Sequence, residues 1–158
     1  MNNTKKIYVI GCGNTLAGDD GVGIVVLRRL MEKDIPDKVE FIEAGIPGLS
    51  LVELMLGAEK AVLVDSFLGG DAPGRVVRFS ESELPPVGYN AGQSHGIGLR
   101  EALSFARGVM PEGFPREVVV VGVEIERPER WVEGLSPAIA AAVDEAVDMV
   151  YAEVLAGA

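Results

Sequence analysis

The chain has 158 residues, 48% of them hydrophobic, which suits one domain with a core of its own and no need for disulfide or metal staples. Its single cysteine, Cys12, excludes an intramolecular disulfide and a multi-cysteine zinc site, and is compatible with a reducing compartment. With 24 acidic against 14 basic side chains the formal net charge is −10, and Lys5-Lys6 and Arg28-Arg29 are the only adjacent basic pairs, so a nucleic-acid partner is not expected; the negative field suits a cation or a basic peptide, and equally suits mere solubility.

Met1 to Lys6 runs directly into an apolar segment of strand length, with no signal-peptide core or cleavage site. No apolar stretch approaches the roughly 18–20 residues of a transmembrane helix. The expectation is a cytoplasmic protein without a membrane partner, folded as one domain over residues 1–158.

In chain order, Ile7-Tyr8-Val9-Ile10 reads as a buried strand ending at Gly11. A glycine-rich loop from Gly11 to Gly21 follows, then a helix whose Val22, Val25, Val26, Arg29 and Leu30 trace a stripe. Val39 to Glu43 alternates as a second strand, ending in Ala44-Gly45-Ile46-Pro47-Gly48, and Leu49 to Leu56 form a short helix stopped at Gly57. Ala61-Val62-Leu63-Val64 is a continuous apolar strand terminated by Asp65-Ser66. Gly74 to Phe79 reads as a strand exposed on one face, and Ser80 to Gly96 as a long loop of the kind that tends to be functional. A helix follows over about 99–109, then the most apolar strand, Glu117 to Val123. A final helix starts near Pro137 and presents Ile139, Val143, Val147, Val150 and Val154 on one side.

Apolar runs alternating with helices predict an α/β fold, a mostly parallel sheet flanked by helices. Ligand sites in such sheets lie outside the strand carboxyl ends. Three of those ends carry polar, glycine-rich sequence: 11–20, 43–48 and 65–70.

The first glycine loop is not a nucleotide fingerprint. Leu16 stands where a third glycine belongs, and Gly18 is followed by Asp19 rather than a P-loop lysine. Two carboxylates opening a helix would also repel phosphate, so no nucleotide cofactor is expected. One aspartate suffices to cap a helix; Asp19 is assigned that role and Asp20 a functional one. Asp65, ending a buried strand, needs a cation, a backbone donor or solvent, because an unpaired buried carboxylate is expensive. His95, the only histidine, sits in the long loop before a helix. Two aspartates and an imidazole make a mixed oxygen and nitrogen ligand set that nickel, zinc, copper or iron would accept.

Classical protease chemistries fit less well. Gly92-Gln93-Ser94-His95-Gly96 matches G-x-S-x-G, but no strand immediately precedes it and no second histidine remains as base. A Cys12–His95 dyad competes with the reading of Cys12 as an inert small hydrophobe. Zincin motifs need two histidines, and no Asp-Thr-Gly or Asp-Ser-Gly occurs.

Taken together, Gly11-Cys12-Gly13-Asn14-Thr15-Leu16-Ala17-Gly18-Asp19-Asp20-Gly21-Val22-Gly23 resembles the opening signature of the NiFe-hydrogenase maturation endopeptidases. Gly45-Ile46-Pro47-Gly48, Val64-Asp65, Ser94-His95-Gly96-Ile97-Gly98-Leu99, Gly122-Val123-Glu124 and Gly134-Leu135-Ser136 resemble further segments of that family, in order along essentially the whole chain. Gly96 departs from the glutamine that often follows the histidine in relatives. The resemblance implies a three-layer α/β fold of the phosphorylase/hydrolase-like kind, and a probe-able activity: removal of a C-terminal extension from the hydrogenase large-subunit precursor after nickel insertion. It implies Asp20, Asp65 and His95 as the catalytic and nickel-holding residues, nickel as a metal carried by the precursor, and the precursor as partner of a monomeric enzyme. The attacking group stays open between metal-activated water or carbonyl and water activated by a carboxylate, with Glu43 as a supporting acid or a plain surface group. A non-catalytic nickel-binding chaperone and a germination-protease-like endopeptidase are the alternatives.

Overall fold

The computed structural model describes residues 5–45, 50–84, 98–129 and 131–156. Five strands, β1 (Ile7–Gly11), β2 (Val39–Glu43), β3 (Lys60–Phe67), β4 (Val76–Ser80) and β5 (Glu117–Glu124), form one sheet in the order β2-β1-β3-β5-β4. The first four run parallel, and the edge strand β4 is antiparallel to β5. The helices are α1 (Val22–Leu30), α2 (Ser50–Leu54), α3 (Leu99–Val109) and α4 (Pro137–Ala156).

Strand alternation distributes the core between two faces. Ile7, Val9, Val62, Val64, Val121 and Val123 pack with α1 and α4, including the expected stripe Ile139, Val143, Val147, Val150 and Val154. Ile10, Ala61, Leu63, Val118 and Val120 pack with α2 and α3 on the other side. The result is the three-layer, mostly parallel α/β arrangement expected from the sequence.

Two local expectations are corrected. In α1, Ile24 and Leu27 join Val22, Val26 and Leu30 in the core, because the helix is wedged between sheet and α4; Arg29 is exposed and pairs with Asp144 at 2.9 Å. The third strand does not stop at Val64 but runs on to Phe67, because β5 continues beside it as far as Phe67↔Glu124. Its other neighbour, β1, ends earlier, at Gly11↔Val64. Beyond Val64 the β3 strand is therefore open on its β1 side, and that is where Asp65 emerges. The expected long loop begins with a 3-10 turn at Glu81–Glu83, and most of it, including His95, lies outside the described residues.

The sheet grows to one side from β1 to β2 and to the other from β1 to β3. A crevice opens where such an order reverses, at the carboxyl ends of β1 and β3.

Candidate active site

After β1 the chain hydrogen-bonds once more to its neighbour, Cys12 N–H to Val64 O at 2.8 Å, and then turns. Gly13 makes the turn with φ of +130°, and a side chain there would lie 2.0 Å from Asp20 O. The loop is thus packed closely against its own backbone at Gly13. It leads into a 3-10 turn, Gly18–Gly21, that feeds α1 and carries both Asp19 and Asp20. Gly23, in the first turn of α1, sits against the main chain of two strands: a Cβ would meet Cys12 O and Val64 O, each at 2.3 Å.

Asp19 and Asp20 are divided differently from the expected capping and functional roles. No side chain caps α1. Instead, Asp19 accepts two 2.7 Å hydrogen bonds from Ser136, one from the backbone N–H and one from Oγ, and so anchors the chain just ahead of α4. Asp20 turns inward: Oδ2 accepts the Asn14 N–H at 3.1 Å and Oδ1 accepts the Ser66 hydroxyl at 3.0 Å. Ser66 also donates its N–H to Asp65 Oδ1 at 2.8 Å. One residue therefore holds both carboxylates.

Burial pushes the Asp65 carboxyl up to about 7, the negative charge of Asp20 adds to the rise, and the Ser66 N–H opposes it. Asp65 thus exchanges its proton near neutrality beside a second carboxylate, a pairing suited to general acid–base work. The same oxygens suit a cation. Among the described residues no third His, Cys, Asp or Glu completes a metal-binding group. Cys12 lies buried under the pair, its thiol driven well above its usual range by burial and then by Asp65 and Asp20. That setting is the reverse of the electropositive one that activates a cysteine.

Glu43 is a surface group after all: it forms an ion pair with Arg28 at 2.7 Å, both side chains well exposed. Two supports escaped the sequence reading. Ser66 follows Asp65 directly, and that adjacency was the one signal the sequence offered. The other is Glu124, whose carboxylate is 1% exposed at the end of β5 and accepts the Asp71 N–H and the Arg75 guanidinium, each at 3.0 Å. A fully buried glutamate is retained only with such partners, and here it fixes the β3–β4 connection beside the crevice.

The family model described as hydrogenase maturation protease matches residues 24–153. The hydrogenase 2 maturation protease of Escherichia coli is 30% identical over 149 residues, covering 93% of this chain and 89% of its own. Among solved structures, the hydrogenase-maturating endopeptidase HybD from E. coli has a TM-score of 0.79 at 25% identity, covering 96% of this chain and 93% of that one. The solution structure of an endopeptidase from E. coli reaches 0.81 at 29% identity, over 93% of this chain and 90% of that one.

Proposed function

The chain belongs to the hydrogenase maturation protease family, and from that premise we propose that this peptidase removes the C-terminal extension of a NiFe-hydrogenase large-subunit precursor once nickel has been inserted. The observation that carries the reading is the pair Asp20 and Asp65, joined through Ser66 at the open end of β1 and β3. It is a compact anionic site able both to hold positive charge and to move a proton.

In this reading the nickel belongs to the substrate. Asp20, held from two sides by Asn14 and Ser66, supplies fixed negative charge toward the metal-bearing end of the precursor, and Asp65 and His95 complete the ligand set. Asp65, with its proton affinity near 7, is also the group placed to accept a proton from an attacking water and return it to the leaving amine. Asp65 thus serves orientation and proton transfer, and Asp20 orientation alone. Cytoplasmic location and a monomeric enzyme form part of the same proposal; no described helix is long and apolar enough to cross a membrane.

Intact-mass spectrometry of the precursor, nickel-loaded and nickel-free, tests it. Loss of a C-terminal peptide from the loaded form alone is expected, and is expected to disappear in Asp20→Ala, Asp65→Ala and His95→Ala. Cleavage of both forms would keep the peptidase and remove the nickel requirement. Full activity in all three variants would overturn the site, and binding of the loaded precursor without cleavage would favour a chaperone.

A further inference from the structure

Trp131 is the only tryptophan of the chain, and it is 86% exposed. Its φ of +61° makes it the one non-glycine residue with positive φ among those described. A bulky side chain in the left-handed region is strained, and burial of the ring does not offset that strain. The fold holds a large apolar surface out into water at a cost to itself. Leu16 and Val132, 45% and 39% exposed, are neighbours of Trp131 along and across the main chain.

The patch is fastened to the active-site loop by main chain. Gly18 N–H donates to Val132 O at 2.8 Å, Val132 N–H to Leu16 O at 3.2 Å, and Glu129 N–H to Ala17 O at 3.1 Å, with Ala17 and Val132 in parallel register. The same loop continues within two residues into Asp19 and Asp20, and Asp19 grips the far end of the segment through Ser136. The charges of the segment nearly balance, Glu126, Glu129 and Glu133 against Arg127 and Arg130, so apolar surface is what it offers.

We propose that Leu16, Trp131 and Val132 form the docking surface for the protein substrate, taking an apolar side chain of the precursor near the bond to be cut. The inference rests on the peptidase reading above and adds the place where the substrate is recognised. Exposed tryptophan is among the residue types most enriched at energetically dominant interface positions, and the backbone ladder keeps the docked chain in register with Asp20.

The test uses the full-length enzyme, the nickel-loaded precursor and the fluorescence of the single tryptophan. Adding precursor should shift the emission of Trp131 to the blue. Trp131→Gly removes the ring and relieves the backbone, so its melting temperature should equal or exceed that of the wild type. Its KM should nevertheless rise at least about tenfold, with kcat at saturating precursor within about twofold and with Trp131→Phe recovering most of the loss. An unchanged KM in Trp131→Gly, or unchanged emission at precursor concentrations that the wild type processes, would overturn the docking surface. A wild type that leaves the loaded precursor intact would instead overturn the peptidase reading; the emission titration then decides the docking surface alone, a shift upholding it and its absence removing it.

Discussion

The hydroxyl of Ser66, on β3, donates a 3.0 Å hydrogen bond to Oδ1 of Asp20, on the turn that opens α1. Two segments separated by 46 residues are thereby joined at the carboxyl ends of β1 and β3. Removing the hydroxyl in Ser66→Ala leaves a half-buried carboxylate oxygen without that donor. The expected loss of stability is about 1–2 kcal/mol. KM for the loaded precursor should rise about tenfold, since Asp20 loses its orientation toward the substrate, while kcat changes little. Thermal melts and single-turnover processing measure the two effects separately.

Asp65 makes stability depend on pH in a sense opposite to that of a salt-bridged carboxylate. Its folded-state value of about 7 lies above the ordinary 3.8, so between those values the folded protein holds a proton that the unfolded chain releases. The favourable contribution is complete below about pH 4 and is lost as pH rises through 7. Partial contact with solvent reduces the effect to on the order of 2 kcal/mol. Urea melts at pH 5 and pH 8 should show the wild type losing that much more stability than Asp65→Asn. If the ionised carboxylate is the base, wild-type processing should rise through the same window; a rate that falls there would refute that role.

Gly23→Ala is expected to be among the most damaging single-carbon changes near the site. The added Cβ would lie 2.3 Å from two backbone oxygens, Cys12 O and Val64 O, and neither can move without breaking the β1–β3 connection. A loss of at least about 3 kcal/mol, or failure to accumulate folded protein, follows from overpacking of this severity. Gly108→Ala in α3, where nothing lies within 4 Å of the new carbon, should instead stabilise by about 0.5–1 kcal/mol. Equilibrium unfolding of the two variants makes the comparison.

Cys12→Ala should retain turnover within about threefold, at a cost of about 1 kcal/mol from lost packing. The thiol is buried and held protonated by its surroundings, so the native protein should also resist alkylation by iodoacetamide. Rapid modification that abolishes processing would restore the cysteine as a candidate nucleophile.

The layers of the fold were legible because the apolar pattern changes period cleanly between Ile7-Tyr8-Val9-Ile10, the helix that follows, and the five residues of the α4 stripe. Asp65 was legible as a polar group ending an apolar strand, and Asp20 as one of two carboxylates opening a helix. What connects them was not. The extension of β3 through Ser66 and Phe67 depends on β5 continuing alongside, a non-local fact that no window around Val64 contains. The departure of Asp19 from its expected capping role has the same origin, since its partner Ser136 is 117 residues away. Glu124 belongs to this class too: local pattern marks it as a polar strand end, and only the arrival of Arg75 explains why it is buried.

The seat of Gly23 on Cys12 O and Val64 O has one more consequence. A spacing fixed by main-chain atoms is blind to the identity of the surrounding side chains. Valines and isoleucines of the two cores can be exchanged for one another over generations while the mouth of the crevice keeps its dimensions. The interior can therefore be repacked without altering the spacing at which this chain presents its pair of carboxylates.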